Sequence, residues 1–288
     1  MRTTHTINEL KAYLQHHRNR GHRIALVPTM GNLHQGHLAL VKAARQQADV
    51  VVTSIFVNPL QFGANEDLDS YPRTLAEDQR LLNETGNDLV FAPSPREMYP
   101  NGLDQHTRVT VPVITELHCG ANRPGHFTGV ATVVTLLFNI VQPDVAVFGE
   151  KDFQQLAVIR KLAQDLCLPV HVESMPTYRE ADGLAMSSRN RYLSPQERSK
   201  AVLIYQMLEA TAEHIRKGRR DYTALTDQAV RSLAEQGFKP DYFNIVNSQT
   251  LAPAEYTDLQ VTLLAAAWLG NTRLIDNISV DLKDASNH

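Results

Sequence analysis

Ile24-Ala25-Leu26-Val27-Pro28-Thr29-Met30-Gly31-Asn32-Leu33-His34-Gln35-Gly36-His37 begins as an unbroken apolar run, breaks at Pro28, and passes through glycines to a pair of histidines. The apolar run reads as a buried strand, since a strand covered on both faces needs no polar alternation. A helical pattern follows over Gly36–Ala48. A strand that crosses Gly31 and Gly36 into a helix leaves backbone room for phosphates, and the first helical turn directs unpaired N–H groups and partial positive charge at them. His34 and His37 are spaced to face one site at that phosphate end, where protonated ring nitrogens would neutralise charge on a departing pyrophosphate. The same two residues also suit plain helix capping or surface exposure. A zinc site would need further ligands, and neither cysteine is placed to provide one. The segment also lacks the Gly-Lys-Ser/Thr ending of a P-loop.

The alternation continues outward. Strands are predicted at Arg23–Pro28, Val50–Val57, Asp88–Ala92 and Val145–Phe148, and near Pro169–Ser174; helices are predicted at Gly36–Ala48, Leu75–Glu84, Thr128–Val141 and Lys151–Asp165. β-Branched runs alternating with helical patterns predict an α/β fold, a Rossmann-like parallel sheet covered by helices. Thr74 and Glu77 have the spacing of a capping box, and Ser194-Pro195-Gln196-Glu197 has the same spacing with proline at the first helical position. Helices near Gln196–Lys217 and Tyr222–Gln236 then give way to strands near Asp241–Asn247, Gln260–Trp268 and Arg273–Val280. The expected organisation is a Rossmann-like ligand-binding domain over 1–177 and a smaller C-terminal α+β lid domain over 178–288. Asp281–His288 reads as a frayed tail.

Composition narrows the function classes. A chain of 288 residues suits two domains of roughly 100–200 residues. The formal net charge is −3, with no block of like charge, so no nucleic-acid partner is expected. Cys119 and Cys167 are far apart and outside any CxxC spacing, which fits a reducing compartment. Residues 1–20 carry the spacing of an amphipathic helix and no apolar stretch of signal-peptide length. Val130–Val141 is too short for a membrane span and is interrupted by Thr132, Thr135 and Asn139. A soluble cytoplasmic protein, with no membrane partner, is expected.

Further segments carry candidate chemistry. Ser54–Gly63 ends an apolar strand with Asn58, Pro59 and Gln61, at the end where ligands bind in open α/β sheets. Gln61 offers a donor and an acceptor suited to a hydroxy-acid or an amide, although a loop glutamine ordinarily faces solvent. Phe148-Gly149-Glu150-Lys151-Asp152-Phe153-Gln154-Gln155 is another strand-to-helix passage. Its helical spacing would put Lys151 and Gln155 on one face, the lysine toward phosphate; an exposed Lys–Asp pair is the plain alternative. In Arg179–Asn190, Ser187, Ser188 and Arg189 lie in a loop read as flexible, where hydroxyls and a guanidinium suit a triphosphate. Read plainly, the same stretch is a polar linker. Arg123 and His126 could each bind a carboxylate, but a helix-entry turn fixed by Pro124 and Gly125 accounts for much of their segment.

The His34–His37 element resembles the signature of the nucleotidyltransferase superfamily. With Ser54–Gly63, Gly149–Gln155 and Arg179–Asn190 in this order, the chain resembles the pantothenate synthetase family. The resemblance implies formation of pantothenate from ATP, (R)-pantoate and β-alanine through a pantoyl-adenylate, with release of AMP and diphosphate. It implies catalytic roles for His34, His37 and Lys151. It implies ATP binding by Met30, Gly31, Asn32, Leu33, His34, Gln35, Gly36, His37, Gly149, Glu150, Lys151, Asp152, Tyr178, Met186, Ser187, Ser188 and Arg189. Gln61 and Gln155 would bind pantoate, and Gln61 also β-alanine. Mg²⁺ held mainly by the ATP phosphates and a homodimer are implied too. Another adenylyltransferase of the superfamily, or a nucleotide-sensing module without turnover, are the alternatives.

Overall fold

The computed structural model describes residues 1–63 and 66–282; positions 283–288 of the expected tail lie outside them. The chain forms two compact units. The first takes in Met1–Glu116, Arg123–Glu150 and Gln155–Pro176, while Leu117–Asn122 and Lys151–Gln154 group with the chain from Thr177 onward.

In the first unit the strands are β1 (Arg2–Thr4), β2 (Ile24–Thr29), β3 (Val50–Ile55), β4 (Leu89–Phe91), β5 (Val145–Gly149) and β6 (His171–Met175). They form one parallel sheet in the order β1-β4-β3-β2-β5-β6. The chain moves from β2 to β3 and β4 on one side, then returns to place β5 beside β2 on the other. The order therefore reverses between β2 and β5, the topological switch point at whose carboxyl end such sheets bind ligands. Between the strands run α1 (Ile7–Arg18), α2 (Gln35–Gln47), α3 (Leu75–Thr85), α4 (Pro95–Met98) and α6 (His126–Val141). The short α5 (His118–Asn122) belongs to the second unit. Helix α7 (Phe153–Asp165) leads into β6.

The core follows from the apolar patterns. Leu38, Val41 and Ala44 of α2 pack with Ala25, Val27, Val51, Val145 and Val147 of the sheet. Helix α1 begins where Thr6 Oγ1 accepts the Glu9 N–H at 3.3 Å, and it ends on Arg18, whose charge suits the negative end of the helix. Helix α6 is buried along nearly its whole length and packs its Gly129 against the turn Pro59–Gln61. A Cβ on Gly129 would lie 2.1 Å from the Leu60 carbonyl oxygen, so only glycine permits this approach.

The second unit contains α8 (Pro195–Ala201), α9 (Leu203–Arg216), α10 (Tyr222–Glu235) and an antiparallel sheet β7-β8-β9 (Lys239–Asn247, Gln260–Leu269, Thr272–Asp281). Val261, Leu263, Ala265 and Ala267 share one face of β8 and join a core with Ile204, Leu208 and Ala212 of α9 and Leu225, Ala229 and Leu233 of α10. The expected capping box at Ser194 is present: Glu197 N–H reaches Ser194 Oγ at 3.3 Å, and Ser194 N–H reaches Glu197 Oε2 at 2.8 Å.

Some expectations need correction. Thr74 makes no capping hydrogen bond; its hydroxyl donates to Asp78 Oδ2 at 3.2 Å instead. Strand β1 was not expected, because three residues at a sheet edge carry no readable period. The helix expected over Gln196–Lys217 is observed as α8 and α9, interrupted at Val202, whose φ of −63° and ψ of −20° stay helical. Lys151 lies in a single 3₁₀ turn, Glu150–Asp152, ahead of α7, so it does not share a regular α-helical face with Gln155.

The Gly129 approach gives a direct test of packing. Gly129→Ala is expected to cost about 1–3 kcal/mol, read as a lower urea midpoint. An unchanged midpoint would contradict the close contact.

Candidate active site

The loop between β2 and α2 is held from beneath. Thr29 Oγ1 donates to the Ser54 carbonyl at 2.7 Å and accepts the Gly31 N–H at 3.2 Å. Asp78, 1% exposed on α3, receives the Asn32 N–H on Oδ2 at 3.0 Å and the Leu33 N–H on Oδ1 at 2.8 Å. Gly31 has φ of +82°, and a Cβ there would meet Asp78 Oδ2 at 3.1 Å and Ile55 Cγ2 at 3.0 Å. This glycine thus answers to the carboxylate under the loop as well as to any ligand above it. Asn32 follows with φ of 53°, in the left-handed region that asparagine tolerates.

His34 occupies the N-cap of α2 in extended conformation. Its backbone N–H donates to His37 Nδ1 at 3.3 Å, and the two rings lie with centroids 4.0 Å apart and planes tilted by 38°. The expected pairing of the imidazoles is therefore present together with the plain capping role. An accepting Nδ1 leaves the proton of a neutral His37 on Nε2, a donor directed away from its own helix start. Met30 belongs to the loop, while Gln35, exposed, and Gly36 open α2.

Beside this loop, after β3, Asn58 caps the 3₁₀ turn Pro59–Gln61 by accepting the Leu60 N–H at 3.2 Å. Gln61 is 9% exposed, far from the solvent-facing position usual for a loop glutamine, and its Nε2 lies 3.0 Å from Met30 Sδ. The start of α6 buttresses the turn. His126 Nδ1 lies 2.8 Å from the Gln61 carbonyl, and Arg123 bridges His126 Nε2 at 3.1 Å and Glu66 Oε1 at 2.7 Å. Burial opposes ionisation of Glu66, but the Arg123 guanidinium prevails and holds its carboxyl below the usual range. Arg123 and His126 are thus committed to bracing the turn.

At the end of β5, Gly149 leads to Glu150, whose Oε1 accepts from Ser174 Oγ at 2.9 Å; Arg160 donates to the same Ser174 oxygen at 2.9 Å. Gln155, on α7, is half-buried.

Within the second unit, the Gln154 amide accepts the Cys119 N–H at 3.0 Å and donates to the Leu117 carbonyl at 2.7 Å, which spends it on structure. Lys151 is half-buried and its carbonyl accepts from Asn277 Nδ2 at 2.9 Å, leaving the backbone fixed and the side chain to its own contacts; Asp152 is exposed. The Tyr178 carbonyl accepts the Met186 N–H at 2.9 Å while the tyrosine ring is 45% exposed. Ser187 caps the 3₁₀ turn Ser188–Tyr192 by accepting the Arg189 N–H at 3.3 Å.

Ion pairs and hydrogen bonds run through and around this segment. Arg179 forms a bidentate pair with buried Asp276 at 2.7 and 3.0 Å and lies 3.9 Å over the Tyr205 ring. Burial pushes the Asp276 carboxyl up, against the pull of that guanidinium. Arg198 ties Glu180 and Asp182 at 2.6 and 2.7 Å, and Asn190 donates to Glu180 and to the Ala185 carbonyl.

Asp78 and Tyr99 are the residues that sequence reasoning missed. Asp78 stands in the first turn of α3, where acids are common, and the loop amides it accepts lie forty-five and forty-six positions away. Tyr99 donates its hydroxyl to Asn58 Oδ1 at 2.7 Å and carried no sequence signal, since its partner lies forty-one positions away. Among the described residues no group of three or more His, Cys, Asp or Glu side chains is gathered to hold a metal, and no helix is long and apolar enough to cross a membrane.

Comparison with known proteins agrees with this architecture. The family model described as pantoate-beta-alanine ligase matches residues 2–279. The pantothenate synthetase of Marinobacter nauticus is 62% identical over 280 residues, covering 97% of this chain and 99% of the relative. That of Hahella chejuensis is 61% identical over 98% of this chain and 100% of its own length. The crystal structure of the Thermus thermophilus pantothenate synthetase superimposes with a TM-score of 0.89 at 48% identity, covering 96% of this chain and 99% of that one. A Francisella tularensis pantoate–β-alanine ligase, solved in complex with beta-gamma ATP and β-alanine, gives 0.80 at 32% identity over 96% of this chain and 97% of that one. With a family model matched along nearly its whole length and relatives this similar end to end, the chain belongs to the pantoate–β-alanine ligase family.

Proposed function

We propose that this chain joins (R)-pantoate to β-alanine at the expense of ATP, through a pantoyl-adenylate. What carries the reading is the β2–α2 loop at the switch point of the sheet, its imidazoles 4.0 Å apart, in a chain whose family model spans residues 2–279. In the first half-reaction a pantoate carboxylate oxygen bonds to the α-phosphorus and the bond to diphosphate breaks. His37, with His34 beside it, donates toward the departing diphosphate, and Lys151 offsets negative charge at the phosphorus. In the second half the neutral amine of β-alanine attacks the pantoyl carbonyl and AMP leaves. Gln61 and Gln155 orient the acyl group, which lowers the entropic part of the barrier.

Mg²⁺ belongs to the same proposal, carried mainly on the ATP phosphates, where it neutralises charge. A protein-held ion has no gathered ligand set among the described residues to support it. A homodimer working in the cytoplasm rests on family likeness alone.

Incubation with ATP, pantoate and β-alanine should yield AMP, diphosphate and pantothenate in equal amounts. Diphosphate release that needs a different acceptor, or ATP binding without turnover, would overturn the reading.

His37→Ala should slow single-turnover formation of the adenylate by roughly 10²–10⁴-fold while pantoate affinity changes little. A wild-type rate would remove His37 from the chemistry. Lys151→Ala should leave the unfolding midpoint unchanged and depress adenylation by roughly 10²–10³-fold. The same variant, supplied with chemically made pantoyl-adenylate and β-alanine, should keep a much larger share of wild-type turnover. Equal fractional losses in the two assays would contradict a role specific to adenylation.

A further inference from the structure

The amide of Asn58 is fixed in one orientation by groups that cannot change roles. Its Oδ1 lies 3.2 Å from the Leu60 N–H, which only donates, and its Nδ2 lies 3.1 Å from the Gly129 carbonyl, which only accepts. Turning the amide over would set oxygen against oxygen and N–H against N–H, so this assignment does not rest on an arbitrary choice between O and N. The Tyr99 hydroxyl, 2.7 Å from the same Oδ1, must therefore donate. Burial pushes the Tyr99 phenol up, which keeps that proton in place.

The orientation passes to the next residue. Asn58 Nδ2 is also 3.1 Å from Gln61 Oε1, and a second donor has no counterpart there, so Gln61 must present its oxygen to Asn58. Its Nε2 is then turned the other way, with Met30 Sδ at 3.0 Å as its neighbour. A thioether is a weak acceptor and yields readily to a better one. All of these residues belong to the first unit, and the approach of α6 through Gly129 is what brings the deciding carbonyl into range.

We propose that Tyr99 is a positioning residue: with the orientation of the Asn58 amide set by Leu60 and Gly129, the Tyr99 hydroxyl adds the hydrogen bond that holds Asn58 in place against Gln61, whose N–H₂ then faces bound pantoate, so that this position selects an oxygen acceptor on the substrate and rejects a donor. The proposal rests on the assignment of Gln61 to pantoate. It refines that assignment: Gln61 is not an ambivalent donor and acceptor, because its oxygen is already engaged from behind.

The test is a double-mutant cycle on pantoate affinity, with ATP affinity measured in parallel. Tyr99→Phe keeps the buried ring and removes the hydroxyl, and should weaken pantoate binding about 3- to 10-fold while ATP binding and the unfolding midpoint hold. In a Gln61→Ala background the same change should have no further effect, since its influence runs only through Gln61. Asn58→Asp, which places an acceptor against Gln61 Oε1, should weaken pantoate binding more than Tyr99→Phe does. A 2-amino analogue of pantoate, bearing an ammonium in place of the hydroxyl, should gain ground relative to pantoate in that variant. Unchanged pantoate affinity in Tyr99→Phe, or losses that add fully to those of Gln61→Ala, would overturn the relay while leaving Gln61 as a pantoate ligand. Intact pantoate binding in Gln61→Ala alone would overturn both.

Discussion

The carboxylate of Asp78 lies under the loop that carries both histidines, and the geometry of the β2–α2 passage depends on it. Each of its oxygens accepts one backbone N–H from that loop, and Thr74 donates to it from its own helix. Those amides are buried, and leaving one unpaired costs about 1–3 kcal/mol. Pairing them fixes Asn32 in its left-handed conformation and restricts the preceding position to glycine. The chain then reaches the N-cap of α2 with His34 extended and His37 one turn inside, which is what sets the rings side by side. The histidine geometry is thus a consequence of a carboxylate on a different helix.

A second constraint works in the same way on the neighbouring turn. Gly129 lets α6 come close enough for its carbonyl to reach Asn58, while Arg123 and His126 hold the turn from its outer side. In both places a residue that contacts no proposed reacting atom decides where a contacting residue points. Precise placement matters for the proposed chemistry because adenylation forms no covalent bond to the protein; its acceleration comes from orientation and from charge set in advance.

These relations explain which features were legible in the sequence. The parallel sheet was readable because β2, β3 and β5 each open on a run of apolar residues, as expected of strands buried on both faces. The Ser194 capping box was readable because its partners are three residues apart. Thr74 misled for a tertiary reason, since Asp78 offered its hydroxyl a better partner than the helix start did. Lys151 and Gln155 have the spacing of helical neighbours, but the 3₁₀ turn before α7 removes the regular geometry that the spacing assumes. Tyr99 joins Asn58 across forty-one positions, and Asp78 joins Leu33 across forty-five, distances at which no local pattern speaks.

The proposed route has one signature that activation through an acyl-phosphate or an acyl-diphosphate does not share. If the pantoate carboxylate bonds to the α-phosphorus and β-alanine later attacks the carbonyl carbon, an oxygen of that carboxylate stays on phosphorus when AMP leaves. Pantoate labelled with heavy oxygen in its carboxylate, turned over with ATP and β-alanine, should therefore transfer one labelled oxygen per turnover to AMP, read by mass spectrometry. Label found in diphosphate or in inorganic phosphate, with unlabelled AMP, would contradict a pantoyl-adenylate.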